Sequence, residues 1–152
     1  RKTQVNTTIA KQAALFVVFY SPIQMLGDLP ENLEKYPDLV RFIVDIPLDW
    51  EESTYLKSAP GDQVVVARKA KENGVWYVAG ISDEQAREVE LDFSFLEKGK
   101  TYKVNLIQDS RDAHFDRNPI GMESKSISVK AGQKMKVRMA EGGGFVMRIS
   151  QE

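Results

Sequence analysis

The pattern of hydrophobic positions changes once along this chain of 152 residues, near residue 49. Before that point the apolar residues recur at helical spacing, and after it they alternate with polar residues, as they do in half-buried strands. The change of period predicts two parts, a helical segment over residues 1–48 and a β domain over residues 49–152.

The first helix is predicted in the stretch TTIAKQAALFVVFYSPIQML, residues 7–26, with Asn6 as its candidate N-cap and Pro22 at its kink or end. The apolar run from Ala13 to Tyr20 covers the whole circumference of a helix rather than one stripe. A membrane span would need about 20 apolar residues, and polar residues interrupt the run before that length. We therefore expect a buried helix, which either packs on the β domain or has its partners outside this chain.

Two further short helices are predicted before residue 49. Gly27 and Asp28 form a break, and Pro30 suits the first turn of a helix that contains ENLEKY. The stretch DLVRFIVDI predicts the second helix, capped by Asp38 and ended by Pro47. The apolar residues on one face of that helix are Leu39, Phe42, Ile43 and Ile46.

Short strands with one apolar face fill the remaining length. QVVVARKAK and VWYVAGI predict a hairpin that turns at Asn73 and Gly74. Further strands are predicted in REVELDF, TYKVNLI, SISVK, KMKVRM and GFVMRIS. Strands at this spacing predict a mainly β protein, an antiparallel β-sandwich of Greek-key type preceded by the short helical segment.

Composition narrows the classes of function. The chain has 21 Lys and Arg against 22 Asp and Glu, so it lacks the basic surplus of a nucleic-acid-binding protein, and we expect neither a nucleic acid nor a membrane as partner. It has no cysteine, which excludes disulfides, thiolate metal sites and cysteine nucleophiles. No signal-peptide cleavage pattern accompanies the early apolar run. Because the chain begins with Arg1 and not Met, we expect a fragment or a processed product.

The first candidate for chemistry is a group of carboxylates, Asp49, Glu51 and Glu52, in DWEES. A glycosidase needs two carboxyl groups about 5 to 9.5 Å apart across the bond that it cleaves. Adjacent Glu51 and Glu52 would diverge in a strand or loop, and no second acidic cluster lies on an obviously facing element. We interpret the stretch as a solvated turn.

The second candidate is the only histidine, His114, which is surrounded by Asp109, Asp112 and Asp116 in DSRDAHFDRNP. The spacing of these acids does not match a calcium-binding loop. A catalytic triad is not supported either, because no serine lies in a Gly-x-Ser-x-Gly turn. The stretch therefore predicts a turn-rich connection between strands, with no metal site.

Two other patterns have simple structural interpretations. The stretch EGGGF, residues 141–145, is followed by a strand and not by the helix N-terminus of a phosphate loop. Gly142 to Gly144 are therefore predicted to form a turn that permits positive φ. Lys134, Lys136 and Arg138 are predicted to form the wet face of a strand, since no aromatic residues interleave with them.

The two tryptophans, Trp50 and Trp76, could each stack on a sugar, although core burial is the usual place for a tryptophan in a strand such as VWYVAG. The residues alone predict no catalytic residue and no metal ligand, and they leave any carbohydrate-binding residue unknown.

The order of seven stretches along the chain resembles the C-terminal end of glycoside hydrolase family 97 enzymes. The likeness runs from about Val5 to the end of the chain. Members of this family have an N-terminal β-sandwich, a central (β/α)8 barrel that carries catalysis and calcium, and a C-terminal β-sandwich commonly described as an oligomerisation region. The stretches are VNTTIAKQAALFVVFYSPIQM, DLPENLEKYPD, DWEES, VVVARK, WYVAGISDEQAR, FLEKGKTY and EGGGF.

The resemblance implies that residues 7–26 are the last helix of the barrel, so that residues 1–48 are a remnant of the barrel. The catalytic and calcium-binding glutamates of the family belong to earlier segments and match no position here. We therefore expect no cofactor in this chain and calcium in the full-length enzyme. Because barrel enzymes place the active site at the C-terminal ends of the strands, only Asn6 and Thr7 could approach it.

The resemblance thus implies a non-catalytic structural and oligomerisation module, inactive alone, of a periplasmic enzyme of carbohydrate metabolism that hydrolyses α-glucosidic bonds. The style of SPIQM and LPEN is closer to the inverting α-glucosidase branch than to the retaining α-galactosidase branch. The expected partners are the barrel domain and, in a homo-oligomer, further copies of the enzyme.

Two other hypotheses remain open at this stage. One is a carbohydrate-binding module that uses Trp50, Trp76 or a tyrosine as a stacking platform. The other is self-association through the apolar face of the first helix.

Overall fold

The computed structural model describes residues 5–21, residue 25 and residues 30–152. A single short 3-10 helix, Phe93–Phe95, accompanies the other elements of these ranges. Those elements are α1 (Ile9–Val18), α2 (Pro30–Leu33), α3 (Pro37–Val44), β1 (Trp50–Ala59), β2 (Gln63–Ala70), β3 (Trp76–Ser82), β4 (Arg87–Asp92), β5 (Thr101–Asp109), β6 (Met122–Lys130), β7 (Lys134–Met139) and β8 (Gly144–Gln151).

The strands form two antiparallel sheets. The large sheet has the order β1-β2-β3-β8-β5-β6, and the small sheet pairs β4 with β7. The small sheet packs on one face of the large sheet, while α1 and α3 pack on the other. The prediction of a mainly β, antiparallel sandwich is therefore confirmed. The helices share a core with the large sheet, and the boundary predicted at residue 48 stays a prediction.

The two cores follow from the alternation of side chains in the central strands. In β8, Phe145, Met147 and Ile149 are buried beneath the small sheet, whereas Val146 is buried among the helices. Side chains at successive positions of a strand point to opposite faces, so a strand covered on both faces is apolar at nearly every position. The pattern of β3 agrees, because every residue of this strand is buried except Ile81.

The small sheet has one wet face. Its buried face is apolar, and on its outer face Lys136 and Lys134 pair with Glu88 and Glu90 at 2.9 and 3.0 Å. The predicted wet face of Lys134 and Lys136 is thus confirmed. Arg138 behaves differently, because its guanidinium donates a hydrogen bond of 2.7 Å to the carbonyl of Arg111.

The first helix is shorter than the sequence suggested. Thr8 and not Asn6 is the N-cap, since the Thr8 side chain accepts a hydrogen bond from the backbone N–H of Lys11. A cap lies directly before the first helical residue and accepts from an N–H two or three positions later, so Asn6 is two residues too early for a helix that begins at Ile9. The helix ends at Val18, and Pro22 lies outside the described residues. None of the helices in the described ranges is long and apolar enough to cross a membrane.

The third helix begins at Pro37, which occupies the first helical position, and Tyr36 is its N-cap, so the prediction that Asp38 caps it is wrong. A proline at this position has the helical φ already and lacks an N–H that would need a partner. Leu39 and Phe42 are buried, as the pattern indicated. Pro30 begins α2 as predicted, whereas the predicted break at Gly27 and Asp28 lies outside the described residues.

The interpretation of DWEES as a turn is wrong, because Glu51 and Glu52 lie in β1. This strand forms one edge of the large sheet and is exposed at most positions, so it carries no alternation of buried and exposed residues. Two register shifts, between Trp50 and Glu52 and between Tyr55 and Lys57, also interrupt its period. The carboxylates are solvated as predicted.

The predicted hairpin of β2 and β3 is confirmed, but its turn is longer than two residues. Gly74 has a φ of +68°, whereas Asn73 keeps a negative φ and its side chain accepts a hydrogen bond from Val75. The connection therefore spans residues 71–75.

Candidate functional site

The tryptophans do not form a sugar platform. Trp76 is 6% exposed and lies 4.8 Å from the ring of Phe95, which confirms its predicted burial in the core. Trp50 is half-buried, with Tyr77 edge-on at 5.6 Å and the guanidinium of Arg68 at 5.9 Å. A stacking platform needs open aromatic faces, so the hypothesis that Trp76 binds sugar is wrong.

A polar groove of the described surface offers no stacking platform either. It has a volume of about 510 Å³ and lies between α3 and strands β5 and β6. Its lining is mostly charged or polar, and its aromatic member, Phe42, is buried. Among the tyrosines, Tyr20 is exposed after α1 and Tyr55 is exposed on β1.

The histidine stretch is a turn-rich loop between β5 and β6, as predicted. His114 stacks on Phe115 with 4.6 Å between ring centroids, and its backbone pairs with that of Asn118. Asp109 is separate from this loop, buried at the end of β5. Among the residues that the structure describes, no three His, Cys, Asp or Glu side chains come together in a way that could hold a metal ion.

Asp109 fastens the end of β5 to the glycine stretch. Its Oδ2 accepts hydrogen bonds of 2.8 Å from the backbone N–H groups of Ala140 and Gly144. A β-carbon on Gly143 would lie 2.0 Å from this oxygen, so glycine is required there by close approach. The prediction of positive φ holds for Gly142, with φ +63°, and the other two glycines do not need it.

Burial raises the pKa of Asp109, while hydrogen bonds from the Thr8 side chain and from the two backbone N–H groups act to lower it. The net direction is upward, because taking a carboxylate out of water disfavours its charged form. Lys11 lies on the same end of the molecule, and burial lowers its pKa, opposed by attraction to Asp83 first and then to Asp109.

The N-terminus of α1 is completed by residues far along the chain. The N–H of Thr8 donates to the carbonyl of Gly142 at 3.0 Å, and the N–H of Ile9 donates to that of Pro119 at 2.7 Å. The first N–H groups of a helix have no partner within the helix, so each of these bonds satisfies a donor that would otherwise be unpaired. The helix is therefore held axially at its start.

A stripe of small residues places α1 against the sheet. Ala10, Ala13, Ala14 and Val17 are fully buried, at the spacing of one helix face, and this face packs on β3 and β8. The contact is close enough that a β-carbon on Gly144 would lie 2.9 Å from Cα of Lys11. The helix therefore packs on the β domain, the first of the two expected alternatives, and its opposite face is only half-covered.

Arg68 holds the other end of α1. Its Nε and Nη2 donate to the carbonyls of Val17 and Val18 at 2.8 and 3.1 Å, and its Nη1 donates to Ser53 at 2.7 Å. A cation is favourable at a helix C-terminus, where the last carbonyls lack partners. Arg68 is 5% exposed, so these bonds offset the cost of burying its charge. The sequence did contain a signal for this contact, because Arg68 is a charged residue at an inward position of the apolar strand β2.

The helical segment carries most of the exposed apolar surface. Six of the eight large hydrophobic residues that are exposed among the described positions lie between residues 5 and 48, although residues 49–152 make up most of the described chain. Phe19, for example, is 61% exposed at the end of α1. Exposed apolar side chains mark an interaction surface where they form a contiguous patch. The six are Val5, Phe19, Tyr20, Met25, Val44 and Leu48.

Comparisons with known proteins connect this architecture to one group of enzymes. A family model described as "Glycosyl-hydrolase 97 C-terminal, oligomerisation" matches residues 49–150. A solved glycoside hydrolase family 97 enzyme from Pseudoalteromonas sp. strain K8, in complex with acarbose, is 39% identical with a TM-score of 0.93. That match covers 97% of this chain and 23% of the enzyme, and a structure of the family from the same strain with panose matches equally.

Two curated proteins are also similar. The chain is 42% identical to a protein named retaining alpha-galactosidase from Bacteroides thetaiotaomicron, over 93% of this chain and 21% of that protein. It is 28% identical to a probable retaining alpha-galactosidase from Streptomyces bingchenggensis, over 90% of this chain and 20% of that protein. The chain therefore spans about a fifth of the length of the curated relatives that it matches.

Substitution of Asp109 separates its charge from its role as a hydrogen-bond acceptor. Asp109→Ala leaves two buried N–H groups without a partner and should lower the free energy of unfolding by about 2 to 4 kcal/mol. Asp109→Asn keeps an acceptor oxygen and should be close to neutral or stabilising near pH 7. Lys11 keeps its larger attraction, to Asp83, in both variants.

The same pair of variants has a defined pH dependence. The pKa of Asp109 is raised in the folded state, so its contribution to stability is greatest below the ordinary aspartate pKa of about 4 and falls as pH rises through the folded value. The advantage of Asp109→Asn over the parent sequence should therefore grow with pH. Urea unfolding at several pH values measures it, and an advantage that shrinks with rising pH would contradict the argument.

Loss of the Arg68 contacts should loosen the last turn of α1. Arg68→Met retains the apolar stem but leaves the carbonyls of Val17 and Val18 unpaired, so we expect a loss of about 2 to 4 kcal/mol in unfolding free energy. Arg111→Met, at an exposed position, is the matched control and should change it by less than about 0.5 kcal/mol. Hydrogen exchange at the end of α1 should accelerate only in the Arg68 variant; equal exchange in both variants would be evidence against the contact.

Proposed function

We propose a function for this chain from one premise: it belongs to the glycosyl-hydrolase 97 C-terminal, oligomerisation family. The resemblance carried by its ordered stretches is confirmed, and the chain is a non-catalytic module that corresponds to a fraction of such an enzyme. Its proposed role is to fasten a C-terminal β-sandwich to the catalytic barrel of the parent enzyme through α1, and to support the oligomer of that enzyme.

The observation that carries this proposal is the two-sided character of α1. One face is a stripe of small residues buried on the sheet, and the opposite face holds Leu15 and Phe16, half-buried, and the exposed Phe19. A helix that is apolar all round is normally covered all round. This half-covered face, with the exposed Phe19 at its end, is therefore the part of the helix that the barrel would bury further.

The proposed activity of the parent is hydrolysis of α-glycosidic bonds, with α-glucosides as the first expected substrates. The curated relatives support α-galactosides as the alternative, because both carry that activity in their names. The solved relatives with acarbose and panose are almost as similar to this chain as the nearer of the two galactosidases, so similarity within this region does not separate the two sugars.

The proposal also concerns the calcium site and the cellular location of the parent enzyme. The described residues of this chain do not fit a calcium site, because they lack a cluster of carboxylates. We place calcium in the barrel of the parent, which we propose to be periplasmic; both statements rest on the family resemblance.

The proposed docking face can be tested by one substitution in two contexts. Phe19→Glu should change the unfolding free energy of the 152-residue chain by less than about 0.5 kcal/mol, because the side chain is 61% exposed there. In the full-length enzyme the same substitution buries an unpaired charge and should lower the melting temperature and the half-life of activity.

Tyr55→Glu is the matched control for this experiment, since Tyr55 is 63% exposed on β1. It should leave both proteins unchanged. Similar effects of Phe19→Glu in the chain and in the full-length enzyme would show that the barrel does not cover this face.

The proposed division of labour predicts the distribution of activity. The 152-residue chain should not hydrolyse p-nitrophenyl α-glucoside or p-nitrophenyl α-galactoside with calcium present, whereas the full-length enzyme should hydrolyse one of them. Release of p-nitrophenol measures both, and turnover by the isolated chain would overturn the proposal. The preferred aryl glycoside also decides between the two sugars.

A further inference from the structure

The loop between β5 and β6, residues 110–121, lies over the N-terminal end of α1. The carbonyl of Pro119 accepts the hydrogen bond of Ile9, the first residue of the helix. The N–H groups of a helix point along its axis beyond the N-terminus. A carbonyl that accepts from the first of them must lie at the end of the helix and not beside it, so the loop caps the helix.

The loop is held in a defined shape. His114 and Asn118 exchange two backbone hydrogen bonds of 3.1 Å, and the Asn118 amide donates to Asp112 at 2.9 Å. The N–H of Phe115 donates to the carbonyl of Glu141 at 3.1 Å, which ties the loop to the glycine stretch. Side chains at the tip are therefore presented from a fixed backbone, which is what a binding surface requires.

The direction of α1 determines at which face of the parent barrel this loop lies. In a (β/α)8 barrel the helices run opposite to the strands, so the N-terminus of each helix lies at the face where the strands end and where the active site is built. If α1 is the last helix of the parent barrel, as the proposed function states, the loop lies at the active-site face. Asn6 and Thr7 lie at the same end, directly before the helix.

Two side chains of the loop present hydrogen-bond donors. Nδ1 of His114 accepts hydrogen bonds from the backbone N–H groups of Asp116 and Arg117, at 3.0 and 3.4 Å. A neutral imidazole that accepts at Nδ1 carries its proton on Nε2, which is then a donor. Arg117 is exposed, and its guanidinium offers a planar set of donors. Sugar hydroxyl and ring oxygens are the matching acceptors.

We propose that loop 110–121 forms an outer part of the substrate site of the parent enzyme, where His114 and Arg117 donate hydrogen bonds to sugar units beyond the bond that is cleaved. The inference rests on the proposed function, because that function places α1 in the barrel. The outer location follows from the position of the helices, which surround the strands and lie away from the barrel axis. A long substrate reaches the loop, and a short one does not.

The test compares long and short substrates of the full-length enzyme. The short one is the p-nitrophenyl α-glycoside of the sugar that the enzyme cleaves, and the long one is maltotetraose for a glucosidase or stachyose for a galactosidase. Arg117→Ala and His114→Asn should each raise the KM for the long substrate about threefold to tenfold, the loss of one hydrogen bond. The kinetics of the aryl glycoside should stay unchanged.

The substitutions preserve the loop. The side-chain oxygen of asparagine can take the place of Nδ1 and keep the two backbone hydrogen bonds of position 114, while the donor at Nε2 is lost. Lys98→Ala, at an exposed basic residue before β5 and so at the opposite end of the sheet, is the matched control for Arg117→Ala. The control should leave both substrates unaffected.

The possible results distinguish a failure of the loop inference from a failure of the proposed function. Unchanged KM for the long substrate in active loop variants would overturn the inference and leave the proposed function intact. Equal losses with both substrates would also overturn it, because they would indicate structural support of the barrel. An unaltered full-length enzyme that cleaves neither sugar series would overturn the proposed function and the inference with it.

Discussion

The carboxylate of Asp109 joins three parts of the chain that are remote in sequence, and the rest of the molecule is arranged around that joint. Asp109 ends β5 and lies against Thr8, the cap of α1. Its Oδ2 accepts hydrogen bonds from the N–H groups of Ala140, directly after β7, and of Gly144, at the start of β8. A buried carboxylate is unfavourable unless its acceptor oxygens are used. Here the two backbone donors would themselves lack partners without its Oδ2, so the turn depends on an acceptor oxygen at this position.

This joint requires a backbone without side chains around it. A β-carbon at Gly143 would collide with the carboxylate, and one at Gly144 would collide with the helix that the joint positions. The same demand for close approach explains the alanine stripe of α1, since larger residues would lift the helix from β3 and β8. Small residues at both sides of the contact let backbone groups reach each other, and Arg68 then completes the far end of the helix.

Local pattern predicted the strands well because alternation depends only on neighbours in the sequence. It failed at β1, where an exposed edge strand with two register shifts has no alternation to detect. The local pattern also grouped Asp109 with His114, because the two are close in sequence. The partners of the Asp109 carboxylate lie 31 and 35 residues away. The contact from Arg68 to Val17 spans 51 residues. Such pairs depend on which strands are adjacent, and a pattern of hydrophobic residues does not encode that order. The family was recognisable earlier because ordered stretches record the whole fold at once.

The hydrogen bonds at the two ends of α1 also fix its orientation on the sandwich. The start of the helix donates backbone hydrogen bonds to the carbonyls of Gly142 and Pro119, and its end accepts hydrogen bonds from Arg68. These bonds fix its axial position, and the buried alanine face fixes its rotation. Because both the axial position and the rotation of the helix are fixed, its opposite, apolar face is presented in one orientation only. In a parent enzyme that buries this face, the sandwich and the barrel therefore have one relative placement, and neither can shift without breaking the backbone contacts at the helix ends. If α1 is a helix of the parent barrel, as we propose, the same constraint places the loop that caps it at the barrel face, and a module without catalytic residues then contributes to the active-site entrance.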